Sequence, residues 1–161
     1  GTKCEEPVIG VDFYPTLLDV SGTQRPKNYT LDGVSFAPLL SAPGDSLERP
    51  AIFWHFPCYL TGSGDPAGGP FRTTPAGAIR MGRWKLIEWF ETGRQELYYL
   101  HDDLGERDDL SKSHEDKRKE LHDAMLAWRK EVNAPVPTTP NPQYDPSKKP
   151  GTGKGKRGKK K

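Results

Sequence analysis

Ala78-Ile79-Arg80-Met81-Gly82-Arg83-Trp84-Lys85-Leu86-Ile87-Glu88-Trp89-Phe90-Glu91-Thr92-Gly93-Arg94-Gln95-Glu96-Leu97-Tyr98-Tyr99-Leu100 reads as three extended runs: Ala78 to Met81, Trp84 to Phe90 and Gln95 to Leu100. The breaks between them, Gly82-Arg83 and Glu91 to Arg94, are the punctuation of an antiparallel meander, because each holds a glycine able to take a tight turn. Leu86, Glu88 and Phe90 alternate with Lys85, Ile87 and Trp89, so apolar side chains lie on both faces of the middle strand. One face is expected to pack on a helix and the other on further protein.

The helix follows. Ser113 and, three residues later, Asp116 resemble a capping box with a shorter acid, and Leu121, Met125, Trp128 and Val132 recur at helical spacing. That stripe is expected to face the core, with Lys117, Lys119, Glu120, Arg129 and Lys130 on the remaining sides. Beyond Val132, six prolines between Pro135 and Pro150 predict an extended arm over 135–147, since proline fixes φ and lacks the ladder donor. Residues 148–161 are lysine, arginine, glycine, one proline and one threonine, too polar to bury a core, and are expected to be a disordered basic tail.

Upstream of the meander, Ala51 to Phe56, bounded by Pro50 and Pro57, predicts a further strand, and Thr61 to Pro75 a long Gly/Pro-rich loop. Asp12 to Val20 predicts a short helix: Asp12 in the capping position, Pro15 in the first turn, and Gly22 at the left-handed stop. Phe13, Leu17 and Val20 share one side of it, and so short a helix needs a surface to pack on. Ser21 to Pro50 is expected to be mostly irregular, with Phe36, Leu39 and Leu40 as a small apolar anchor.

Composition limits what the whole can be. Seventeen glycines and sixteen prolines in 161 residues, with a mean hydropathy of −0.81, leave much of the chain as loop, linker or tail. Eight of the 24 basic residues fall in Lys148 to Lys161 with no acid, so the remainder carries 16 against 22 acidic side chains, a net −6. The body is therefore acidic and the basicity is the tail's. Without aromatic interleaving or a folded basic face, specific nucleic-acid recognition is not expected. No apolar run approaches a membrane span. Cys4 and Cys58 are compatible with two free thiols, with one bridge, or with pairing to sequence outside the chain.

Standard chemical constellations are missing. The four histidines have no partner at metal-ligand spacing, no phosphate-cradling glycine motif opens a helix, and no nucleophile elbow occurs. Asp102, Asp103, Glu106, Asp108 and Asp109 lack the alternation of a calcium loop; they read as a solvated acidic turn in which Glu106 and Arg107 can pair. His55, at a strand end before a proline and a long loop, is the leading candidate for a functional residue. Tyr59 and Arg72, flanking and within that loop, are further candidates for substrate contact.

Six phrases in fixed order carry a resemblance. They are Asp12-Phe13-Tyr14-Pro15-Thr16-Leu17-Leu18, Leu31-Asp32-Gly33-Val34-Ser35 ending in Pro38-Leu39-Leu40, Trp54-His55-Phe56-Pro57, Ile79-Arg80 through Lys85-Leu86-Ile87, Glu96-Leu97-Tyr98 with Asp103 and Glu106, and Asn141-Pro142-Gln143-Tyr144-Asp145. Together they resemble the carboxyl-terminal portion of sulfatases of the arylsulfatase type, particularly bacterial carbohydrate sulfatases. The resemblance implies an α+β subdomain, a small antiparallel sheet of about four strands packed on a long C-terminal helix, preceded by a piece of an alkaline-phosphatase-like α/β domain. On this reading 1–50 end the large domain, 51–134 form the subdomain, and the catalytic residues lie ahead of Gly1.

The same resemblance implies a formylglycine nucleophile and a calcium ion in the intact enzyme, neither held by this chain. Ser41-Ala42-Pro43 continues Gly44-Asp45, and Cys58 is followed by Tyr59-Leu60, so neither completes the formylglycine signature. No catalytic or metal residue is expected here, and the isolated chain is expected to be inactive. The implied partners are a sulfated carbohydrate or aryl sulfate and the missing N-terminal domain, and the implied location is periplasmic or secreted. The alternatives are a stand-alone carbohydrate-binding or accessory module, or a basic-tailed interaction protein.

Overall fold

The computed structural model describes residues 1–25, 27–61, 71–139 and 141–145. The chain divides into two compact units, Gly1–Ile52 and Phe53–Lys161.

In the first unit, a single 3-10 turn at Gly10–Asp12 leads into helix α1, Phe13–Ser21, which stops at Gly22 with φ +66°. A second short helix, α2 at Ala37–Ser41, interrupts the stretch expected to be irregular. Asp12 does not cap α1 with its side chain. Its carboxylate is fully buried and accepts from the Ile9 N–H at 2.8 Å, the Val34 N–H at 3.0 Å and Arg49 Nη1 at 2.7 and 2.9 Å. Arg49 also donates to the Pro7 carbonyl at 2.8 Å. One side chain thus joins segments 22 and 37 positions away. Thr16 Oγ1 extends the web, donating to the Asp12 carbonyl at 2.6 Å and accepting from the Phe36 N–H at 2.9 Å.

Gly33 explains its place in this web. A Cβ there would lie 2.2 Å from the Val11 carbonyl oxygen, so only glycine lets the backbone pass closely enough for Val34 to reach Asp12. Of the expected apolar anchor, Leu39 is buried, while Leu40 is exposed. Phe13 meets Phe36 edge-on at 5.3 Å, yet Phe13, Leu17 and Val20 each remain more than half exposed.

In the second unit, β1 (Ile52–Phe56), β4 (Ala76–Met81), β5 (Trp84–Trp89) and β6 (Arg94–Tyr99) form one sheet in the order β1-β4-β5-β6. The meander is antiparallel with unbroken register: Met81 faces Trp84 across a two-residue turn, and Trp89 faces Arg94. Gly82 and Gly93 take φ values of +58° and +66°, the left-handed region these turns require. The ends of the expected long loop pair as a two-stranded ribbon, β2 (Leu60–Thr61) with β3 (Phe71–Thr73). The intervening part of that loop, residues 148–161 and the last part of the Pro-rich stretch lie outside the described residues.

Helix α3, Glu115–Glu131, packs on β4 and β5. Ile79, Leu86 and Leu97 occupy one rung across the three strands, and with Leu121 and Met125 they are fully buried. Burying five aliphatic side chains at about 1.5 to 3 kcal/mol each supplies the main drive for this layer. Two helix expectations change. Ser113 makes no cap: its hydroxyl donates to the Leu110 carbonyl, and His114 stands at the N-cap without a side-chain cap bond. Val132 is half exposed.

Arg129, expected at the surface, is instead buried. It pairs with Glu88 at 2.6 Å, stacks on the Phe90 ring at 4.7 Å, and fills the space left by the missing Cβ of Gly77. His122 approaches the same carboxylate at 3.3 Å, and Arg118 donates to Gln95 at 3.2 Å. The helix therefore meets the sheet through an apolar rung beside a polar one, which period counting cannot distinguish because the guanidinium stem covers apolar surface as well.

Candidate functional site

β1 alternates its side chains, sending Phe53 and His55 one way and leaving Trp54 and Phe56 exposed. Phe53 stacks flat on Trp128 of α3 at 4.7 Å and 2°. His55 lies 5.5 Å from Phe90 and 6.2 Å from Trp128, within the same aromatic layer. Its Nε2 bonds the Pro135 carbonyl at 2.7 Å, so Nε2 carries the proton and donates. Nδ1 is buried with no hydrogen-bond partner among the described residues.

The Pro-rich arm does not leave the sheet after α3. It returns along it, with the Asn141 N–H donating to Glu91 at 3.4 Å. Between arm and sheet lies a cleft of about 100 Å3 lined by Tyr59, Pro75, Phe90, Glu91 and Pro137 to Thr139. Tyr59 is seated by Phe71 of β3, centroids 4.6 Å apart. Of the candidate residues, His55 and Tyr59 are thus brought to the same neighbourhood by Phe90: His55 packs against that ring and Tyr59 lines the cleft with it. The side chain of Arg72, on β3, lies outside the described residues. Sequence reasoning missed Phe90, Glu91, Thr138 and Thr139; the only signal was the hairpin turn after Trp89, which puts Phe90 and Glu91 at the sheet's end.

The acidic turn after β6 is structurally committed. Asp103 Oδ2 accepts from the Arg107 and Asp108 N–H groups at 2.6 and 2.9 Å. The Asp108 amide first, then that of Arg107, outweighs burial and holds its carboxyl below the usual range. Burial acts most strongly on Asp109 and would raise it, but the N–H groups of Leu97 and Ser111 together pull it down. Glu106 bonds Lys85 at 2.5 Å rather than Arg107, and His101 donates to Asp102 at 2.5 Å. These carboxylates point at different partners, so they do not converge on a calcium ion. Among the described residues no group of three His, Cys, Asp or Glu side chains is placed to hold a metal.

An antiparallel meander covered by one long helix, with loops gathered at the sheet's end, is the architecture of the carboxyl-terminal part of sulfatases with an alkaline-phosphatase-like fold. Residues 1–131 match the family described as N-sulphoglucosamine sulphohydrolase, C-terminal, and the chain belongs to it. It is 30% identical over 144 residues to a sulfatase of Formosa agariphila, covering 81% of this chain and 24% of that protein. It is 30% identical over 104 residues to a Δ4,5-hexuronate-2-O-sulfatase of Bacteroides thetaiotaomicron, covering 63% of this chain and 19% of that one. A solved structure in complex with its substrate D-glucosamine-2-N,6-O-disulfate superposes with a TM-score of 0.62 at 26% identity, covering 80% of this chain and 25% of its own. The chain therefore spans about a quarter or less of the length of these relatives.

Proposed function

We propose that this chain is the carboxyl-terminal part of an enzyme that hydrolyses sulfate esters of sulfated carbohydrates, and that its second unit forms one wall of the cleft where the sugar lies. The observation that carries this reading is the family match over residues 1–131. The names of the relatives support the substrate class: one acts on 2-O-sulfated hexuronate and another binds a sulfated glucosamine. The formylglycine and calcium of the sulfatase reaction belong, in this reading, to sequence ahead of Gly1, and no reaction step runs through residues described above.

What this chain contributes is shape and orientation. Tyr59 lines the cleft with the threonines of the arm and offers it an aromatic ring and a hydroxyl, and Arg72 is assigned to sulfate from its place in the sequence and the planar fork of its guanidinium. His55 reaches a sugar only once the arm has lifted away, because its Nε2 is bonded to Pro135. Glu91 repels sulfate, so the part of the sugar nearest it is uncharged. The exposed side of α1 supports a second assignment: Phe13, Leu17 and Val20 dock on the preceding catalytic domain. We place the protein in the periplasm or outside the cell.

The test compares the longer protein with Gly1 to Lys161 alone, using a sulfated disaccharide. Sulfate release is expected only from the longer protein, with Tyr59→Ala and Arg72→Ala raising KM more than they lower kcat. Turnover by the isolated chain would overturn the reading. Sugar binding by the chain, without hydrolysis by the longer protein, would point instead to an accessory carbohydrate-binding module.

A further inference from the structure

A second cavity, larger than the Tyr59 cleft, lies away from it at the opposite end of β5 and β6. It measures about 440 Å3 and is lined by Trp84, Tyr99, Leu110 and His114 together with Asp102, Asp103 and Asp108. Trp84 and Tyr99 are direct cross-strand partners, yet their rings tilt by 49° with centroids 4.8 Å apart. His114, at the start of α3, tilts by 50° against Trp84 at 5.3 Å. Trp84 is thus tilted against both Tyr99 and His114, and the three rings line the cavity instead of closing it as a flat stack would.

We propose that this cavity is a binding site for a weakly hydrated organic cation, a guanidinium or a quaternary ammonium. The faces of aromatic rings carry negative potential, and the carboxylates add to it. An anion such as sulfate is disfavoured by three acids. A small hard cation is a poor fit because it needs convergent oxygens, and Asp103 already spends Oδ2 on two backbone N–H groups. Of the nearby cations, Lys85 is held by Glu106 and His101 engages one oxygen of Asp102, while Arg107 acts on Asp103 through its charge, so an incoming cation meets a partly compensated set of acids. A volume of this order accepts a guanidinium with its alkyl stem.

Two sources share this chemistry, a small free quaternary ammonium and an arginine side chain of a peptide. Isotope-edited NMR of the full chain titrated with tetramethylammonium chloride, with N-acetyl-arginine amide, and with its neutral isostere N-acetyl-citrulline amide tests the site and distinguishes them. Both cations are expected to shift the Trp84 indole and the amides of residues 102–108, while the citrulline compound leaves them in place. Tighter binding of the arginine compound assigns the site to a peptide side chain, and tighter binding of tetramethylammonium assigns it to a small cation. Trp84→Leu is expected to weaken binding about tenfold. Asp108→Asn, at an exposed position that leaves the fold intact, is expected to weaken it about threefold. Equal shifts with the citrulline compound, no shift with either cation at millimolar concentration, or undiminished binding by Asp108→Asn would overturn the proposal.

Discussion

Replacing Asp12 by alanine should dissolve the first unit while leaving the second intact. The substitution strands the Arg49 guanidinium, whose side chain is 13% exposed, and orphans the N–H groups of Ile9 and Val34. Breaking a buried ion pair from one side costs about 3 to 5 kcal/mol, and each orphaned buried donor about 1 to 3 kcal/mol. Because Ile9, Val34 and Arg49 are only partly buried and water reaches them once the web opens, the losses overlap, and about 4 kcal/mol is expected in total. A unit of some fifty residues holds only a few kcal/mol of net stability, so this change is enough to unfold it.

Hydrogen exchange reads the outcome residue by residue. The amides of Val34 and Phe36 should lose protection in Asp12→Ala, while those of Leu97 and Leu121 keep theirs. The acid dependence has a definite sign. Burial acts most strongly on Asp12 and would raise its pKa, but the Arg49 hydrogen bond, the Ile9 and Val34 amides and the Arg49 charge together hold it below the ordinary value. Stability from this group is therefore complete above the unfolded carboxyl value, about 3.9, and is lost as pH falls through the lower folded value. The difference between wild type and Asp12→Ala should shrink over that window. Unchanged exchange at Val34 and Phe36, or a difference that grows on acidification, would refute the assignment of Asp12 as the tie of this unit.

Gly33→Ala places a methyl 2.2 Å from the Val11 carbonyl, and denaturant unfolding should show at least about 3 kcal/mol of loss in the first unit, unlike Gly44→Ala, where the added carbon meets nothing within 4 Å. Arg129→Met and Glu88→Gln should each destabilise the second unit by about 2 to 4 kcal/mol, whereas the double variant should lose clearly less than their sum, as a double-mutant cycle will measure. Tyr98 should be the last tyrosine to ionise in an ultraviolet titration. Burial chiefly, then the charges of Glu96, Asp109 and Glu106, pushes it up to about 12, with Arg94 opposing. Its folded value lies above its unfolded one, so its contribution to stability is intact below about pH 10 and lost as pH rises toward 12.

The meander and α3 could be read from the chain because both are local patterns: period-two runs broken by glycine turns, and an apolar stripe at helical spacing. The sulfatase resemblance was legible for a related reason, since Asp12, Gly33 and Lys85 each sit in phrases whose chemistry is fixed by position. What each of them does was not legible. Asp12 occupies a capping position, and only the approach of Arg49 and Val34 turns its carboxylate away from α1. Arg129 falls next to the stripe, and only the bare backbone at Gly77 makes room to bury it. Tyr59 and His55 stood out by their neighbourhood in sequence, while the return of the arm, which bonds His55 through Pro135 and Glu91 through Asn141, was not legible.

The sequence alone determined α1, β1, the meander, α3, their order and the family, because side-chain periodicity and turn residues act over a few positions at a time. The tertiary structure alone decided which polar groups are buried together, where the Tyr59 cleft opens, and that Trp84, Tyr99 and His114 wall a second cavity. Those outcomes depend on contacts between residues far apart in the chain, where a hydrogen bond or a missing Cβ tips the balance and no local pattern records it.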